Sequence, residues 1–88
     1  MGAEVAALAK AGDIRMLSSD SCGICDQARR WFIAHHVPFT ECSIDRDSAC
    51  RTDFEARLAA GTPVLLVRQR VLLGFSPERL RAVLAAPS

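Results

Sequence analysis

The sequence predicts one α/β domain, a four-stranded mixed sheet flanked by helices in the order β-α-β-α-β-β-α. Three observations predict it. Short apolar runs of strand length alternate with longer runs of helical period. The last two apolar runs, at 64–67 and 71–73, lie so close together that they must pair as an antiparallel hairpin. The strand–helix–strand unit at the start makes its own strands parallel, so the sheet has to be mixed. A chain of 88 residues, half of them hydrophobic, suffices for one core and one domain.

Residues 1–12 read as an N-terminal extension, Ala-rich and ending at Gly12, either a short helix or loose, and outside the functional core. The domain proper is expected over 13–86. Residues 14–17 form the first strand, and Ser18 to Ser21 a polar turn. From Cys25 to His35 the spacing of Ala28, Trp31, Phe32 and His35 is helical, with Gln27, Arg29 and Arg30 on the opposite side. Pro38 stops that helix. Residues 39–44 form the second strand, with Phe39, Cys42 and Ile44 facing inward in imperfect alternation.

Asp47 or Ser48 caps the next helix, which places Cys50, Phe54 and Leu58 on one face. Gly61-Thr62-Pro63 breaks it. Val64-Leu65-Leu66-Val67 suits a strand covered on both faces. Gln69-Arg70 turns the chain into Val71-Leu72-Leu73, and Gly74 closes that strand. Ser76 caps the last helix, Pro77 occupies its first turn, and Leu80, Val83 and Leu84 are its buried stripe.

The 11 basic and 10 acidic residues nearly cancel, and no aromatics interleave with a basic stripe. This argues against a nucleic-acid partner. No apolar run reaches the length of a membrane span, and the N-terminus lacks the pattern of a secretory signal. A cytoplasmic location and a small monomer are therefore expected.

The chemistry centres on Cys22-Gly23-Ile24-Cys25. A Cys-x-x-Cys bridge closes too small a loop to serve as a staple. The thiolate is the form that attacks a disulfide. At a helix N-terminus the Cys22 sulfur meets unpaired backbone N–H groups and the positive helix end, and both favour the thiolate. Cys25, one turn on, is placed to resolve a mixed disulfide formed on Cys22. Gly23 leaves room for a partner, and Ile24 offers an apolar contact. Asp20 and Asp26 would oppose thiolate formation if close and Arg29 could offset them, so the expected attacking thiol is less acidic than a strongly basic neighbourhood would make it.

A metal reading would recruit His35, His36, Cys42 and Cys50 as further ligands, but no second Cys-x-x-Cys or His-x-x-x-His spacing is present. Cys42 and Cys50 are expected as core thiols, with a regulatory disulfide or modification as the alternative. His35 and His36 are expected as helix-end residues.

With these elements in order, the chain over about 13–86 resembles the glutaredoxin family of the thioredoxin fold, especially short bacterial glutaredoxin-like redoxins. The resemblance rests on Cys22-Gly23-Ile24-Cys25, on Thr62-Pro63 ahead of the third strand, and on Gly74-Phe75-Ser76-Pro77-Glu78-Arg79-Leu80 at the start of the last helix. It implies a cis peptide before Pro63, with that loop beside Cys22, and a Thr62 backbone that pairs with the substrate. It also implies substrate contacts at Gly23, Ile24, Gly74, Phe75 and Ser76. The motif departs from glutathione-using members, which carry Pro-Tyr or Pro-Phe between the cysteines and a Gly-Gly pair with an acidic residue near the last helix. Gly74-Phe75-Ser76-Pro77 looks more like members recharged by thioredoxin reductase.

The expected activity is therefore dithiol–disulfide oxidoreduction of protein or small-molecule disulfides. No bound cofactor is expected. Electrons would come from glutathione or a flavin-dependent thioredoxin reductase. Two other classes remain open: a thioredoxin-fold adaptor using Ile24 and Phe75 as a contact surface, and a protein binding metal or an iron–sulfur cluster.

Overall fold

In the computed structural model, which describes residues 1–87, the elements are α1 (Gly2–Leu8), β1 (Ile14–Ser18), α2 (Gly23–Ala34), β2 (Thr40–Ser43), α3 (Ser48–Ala56), β3 (Val64–Val67), β4 (Arg70–Leu73) and α4 (Pro77–Ala85). The sheet runs β2-β1-β3-β4. β1 and β2 are parallel, whereas β1–β3 and β3–β4 are antiparallel. This is the predicted mixed sheet, preceded by one additional helix.

The period of two along each strand sorts side chains between two cores. Ile14, Met16, Leu65, Val67 and Leu72 face α1, α2 and α4, joining Val5, Ala28, Phe32, Leu80 and Leu84 in the larger cluster. Leu17 and Val64 face the other way and pack with Cys50 of α3, edged by Phe54 and Leu66. β3 is apolar throughout because it is central and covered on both faces.

The N-terminal segment takes the helical option and belongs to the main core. Val5 is fully buried and α1 lies against α4. Gly2 is itself buried, and a Cβ there would collide with the His35 ring. The absent side chain lets the start of α1 approach the end of α2.

Phe39, Cys42 and Ile44 pack inward, on two different cores: Phe39 precedes β2 and joins the larger cluster against Phe32, while Cys42 and Ile44 edge the smaller one. Odd and even positions of an extended segment serve opposite faces, which accounts for the imperfect alternation. The expectation that Leu58 shares the buried face of α3 is corrected. Leu58 is 90 % exposed. α3 stops at Ala56, and Leu58 takes a left-handed φ of 55° that carries it off the helical stripe.

The β3–β4 turn also puts a non-glycine residue, Arg68, at positive φ (56°). Its backbone N–H donates to the Asp13 carbonyl at 2.8 Å. Its guanidinium donates to the Leu84 carbonyl at 3.1 Å and pairs with Asp13 at 3.3 Å. These contacts offset the unfavourable backbone of that position, and they place a cation at the carboxyl end of α4, where the helix dipole favours one.

Candidate functional site

Three loops meet at one end of the sheet. Ser18 ends β1 and leads to Cys22, Val64 opens β3 after the Thr62–Pro63 segment, and Leu73 ends β4. The antiparallel register sets Leu17 opposite Val64, and Val64 opposite Leu73. Sheet pairing alone thus assembles residues distant in sequence. The Thr62–Pro63 bond is cis. The Pro63 carbonyl accepts from the Gly74 N–H at 2.9 Å, and the Ser19 and Thr62 hydroxyls lie 2.8 Å apart. Gly74 adopts φ 79°, a conformation natural to glycine where the chain leaves β4.

Cys22 is the N-cap of α2. Its sulfur accepts a hydrogen bond from the Cys25 N–H at 3.1 Å. The cap fits the sequence: Cys22 is extended, Gly23 opens the helix, and Ala28 and Phe32 bury its inner face. Cys22 is half-buried and Cys25 fully buried, and the two sulfurs are bonded as a disulfide. Cys22 is therefore the less buried of the two, with Cys25 shielded behind it. Gly23 is exposed, Ile24 is 50 % exposed, and together they form the rim.

Phe75 does not stand out as a free contact. It is half-buried against α2, its ring edge-on to Trp31 and to Phe32 with centroids 5.6 Å away in each case. The Ser76 hydroxyl accepts from the Arg79 N–H at 3.3 Å and so caps α4.

The acidic neighbours of the pair are neutralised. Asp26 bonds Arg29 at 2.7 Å, and Arg29 also pairs with Glu41 on β2 at 2.5 Å. That guanidinium holds the Glu41 carboxyl below its ordinary range, with help from the Ser18 hydroxyl, against the opposing effect of burial. Asp20 is likewise held low, first by Arg46 and then by Ser43. These pairs bind the Cys22 loop and α2 to β2. Arg29 lies near the acids in sequence, whereas Glu41 comes within its reach only through the parallel β1–β2 pairing.

The expectation of Cys42 and Cys50 as free core thiols is corrected. They form a disulfide joining β2 to the first turn of α3. Asp47 caps α3 by accepting from the Cys50 N–H at 3.0 Å, and this turns Cys50 back toward the sheet. His35 caps the carboxyl end of α2, and His36 follows at φ 56°. Among the described residues, no three His, Cys, Asp or Glu side chains converge as a metal-binding group.

Residues 14–72 match the Glutaredoxin family. The chain belongs to the glutaredoxin family. Solved structures agree on the fold. The thioredoxin-like protein BC3987 superimposes with a TM-score of 0.69 at 21% identity, over 80% of this chain and 97% of that one. The glutaredoxin from Archaeoglobus fulgidus gives 0.67 at 18% identity, over 84% and 87%. The glutaredoxin from Methanosarcina mazei Go1 gives 0.69 at 18% identity, over 85% and 80%. No curated protein sequence matches this glutaredoxin. Family and fold together support a thiol–disulfide redox role.

Proposed function

We propose that this glutaredoxin is a dithiol–disulfide oxidoreductase in which Cys22 attacks and Cys25 resolves. The observation that carries the reading is the pairing of a half-buried N-cap cysteine, its sulfur hydrogen-bonded by a backbone N–H, with a fully buried cysteine one turn on. A hydrogen bond to the charged form stabilises it, so the helix start favours the Cys22 thiolate.

The thiolate attacks one sulfur of a substrate disulfide, and the other substrate sulfur leaves with the bonding electrons and takes a proton. Cys25 then gives up its proton and attacks Cys22 in the mixed disulfide, releasing the second substrate thiolate. The products are a substrate dithiol and the Cys22–Cys25 disulfide. Gly23, Ile24, the Thr62 backbone and Pro63 receive the substrate in this reading, with Gly74, Phe75 and Ser76 forming the far wall. The substrates are disulfide-bearing proteins or small molecules in the cytoplasm, met by a monomer without a bound cofactor.

Return to the dithiol requires two electrons. The chain has Gly74-Phe75-Ser76-Pro77 where glutathione-using members carry a Gly-Gly pair with an acidic residue, and this favours a flavin-dependent thioredoxin reductase over glutathione as their source. The test is reduction of insulin at fixed protein concentration with two regenerating systems, NADPH with thioredoxin reductase and NADPH with glutathione and its reductase. Turnover with the first system and little with the second is expected. Turnover with glutathione alone would overturn the assignment of the electron source. Inactivity in both, with Cys22 shown to be reduced and alkylatable, would overturn the enzymatic reading.

A further inference from the structure

The second disulfide repeats the asymmetry of the first. Cys50 is 1 % exposed beneath α3, packed with Leu17 and Val64. Cys42 is half-buried on edge strand β2 and lines an open polar cleft with Ser18, Ser19, Asp20 and Arg46. A half-buried cysteine is again backed by a fully buried one. A positive group also attends the Cys42 sulfur: the Arg15 guanidinium donates to Cys42 Sγ at 3.5 Å while pairing with Asp53 of α3 at 2.9 Å. A cation beside a cysteine favours its thiolate.

Contacts other than the disulfide hold α3 in place. Arg15 ties Asp53 to β1, and Phe54 and Cys50 pack on the smaller core. Breaking the sulfur–sulfur bond therefore leaves α3 docked and the two thiols close enough to rejoin.

We propose that Cys42 and Cys50 form a second thiol–disulfide exchange site, with Cys42 the sulfur that meets the partner. The reductant is a dithiol. Its thiolate attacks Cys42 Sγ, the Cys42–Cys50 bond breaks, and Cys50 leaves with the electron pair and takes a proton. The second thiol of the reductant loses its proton and attacks its own mixed sulfur, and Cys42 leaves as a thiolate beside Arg15. Two electrons pass to the protein, and the reductant becomes a disulfide. The reverse path starts from the Cys42 thiolate that Arg15 favours. This site is independent of the role assigned to Cys22 and Cys25.

The test uses the whole chain in mixtures of reduced and oxidised dithiothreitol, quenched by alkylation and mapped after tryptic cleavage. Cleavage at Arg29, Arg30, Arg46 and Arg51 separates Cys22 with Cys25, Cys42, and Cys50 into different peptides. Cys42 and Cys50 are expected to become alkylatable together without denaturant, to close again in oxidised dithiothreitol, and to leave the far-ultraviolet circular dichroism unchanged. In Cys50→Ser, a disulfide-bearing probe is expected to be captured on Cys42. Arg15→Gln should slow Cys42 alkylation near neutral pH by roughly threefold or more, with Arg15→Lys restoring part of the rate. A Cys42–Cys50 bond that opens only in denaturant, loss of helical signal on reduction, or no capture on Cys42 would each overturn the proposal.

Discussion

The hydroxyls of Ser19 and Thr62, 43 positions apart in sequence, share a hydrogen bond of 2.8 Å. The bond links the loop that delivers Cys22 to the loop that carries Pro63, so it fixes the spacing of the two segments at the proposed substrate groove. Ser19→Ala and Thr62→Val should each lower stability by about 1 kcal/mol, the usual net value of such a bond. In a double-mutant cycle the losses should be less than additive. Chemical denaturation of the four proteins measures the coupling, and strict additivity would mean that the loops are set independently.

Cys25→Ser should retain attack by Cys22 and stop at the mixed disulfide. Turnover in insulin reduction should fall to the background rate, and mass spectrometry should find a substrate thiol bonded to Cys22. Release of product at an undiminished rate would assign resolution to another thiol.

The Arg29–Glu41 pair gives a pH-dependent contribution to stability with a defined sign. Glu41 has a lowered pKa in the folded state, first because Arg29 donates to it. Its contribution is present above the unfolded value of about 4.3 and lost as pH falls through the folded value. Glu41→Gln should cost roughly 1 kcal/mol at neutral pH. The gap from the parent protein should narrow steadily in denaturation curves taken below about pH 4. A gap that stayed constant down to pH 2 would contradict the pairing.

Val5→Ala tests the place of α1 in the main core. Val5 is fully buried, and removing its two methyl groups should cost roughly 2 kcal/mol in thermal or chemical unfolding. The redox turnover of the folded protein should stay near that of the parent, because α1 packs on α4 and contributes nothing to the Cys22 loop. A neutral effect on stability would make the N-terminal helix an ornament of the fold.

Much of the fold is legible in the sequence because local signals agree. Asp47 and Ser76 cap helices as their residue type suggests, Pro38 follows the end of α2, and the two-sided apolar run at 64–67 is the buried central strand. The candidate site is legible through Cys22, Pro63 and Gly74, which mark where the chain starts a helix, takes a cis bond or turns. What stayed hidden depends on tertiary pairing. Nothing local connects Arg29 with Glu41, or Arg15 with Asp53. Cys42 and Cys50 meet only because the turn after β2 folds α3 back across the sheet. Leu58 misled because its periodicity continued past the point where the backbone had already left the helix.

The Arg68 anchor has a practical consequence for handling the molecule. By binding Asp13 and the Leu84 carbonyl, it gathers the start of β1, the β3–β4 turn and the carboxyl end of α4 at the pole of the sheet opposite Cys22. A linker attached after α4 would therefore leave from the side away from the Cys22 loop. Protein grafted to an electrode or resin through that end should present its Cys22 disulfide outward, toward solution.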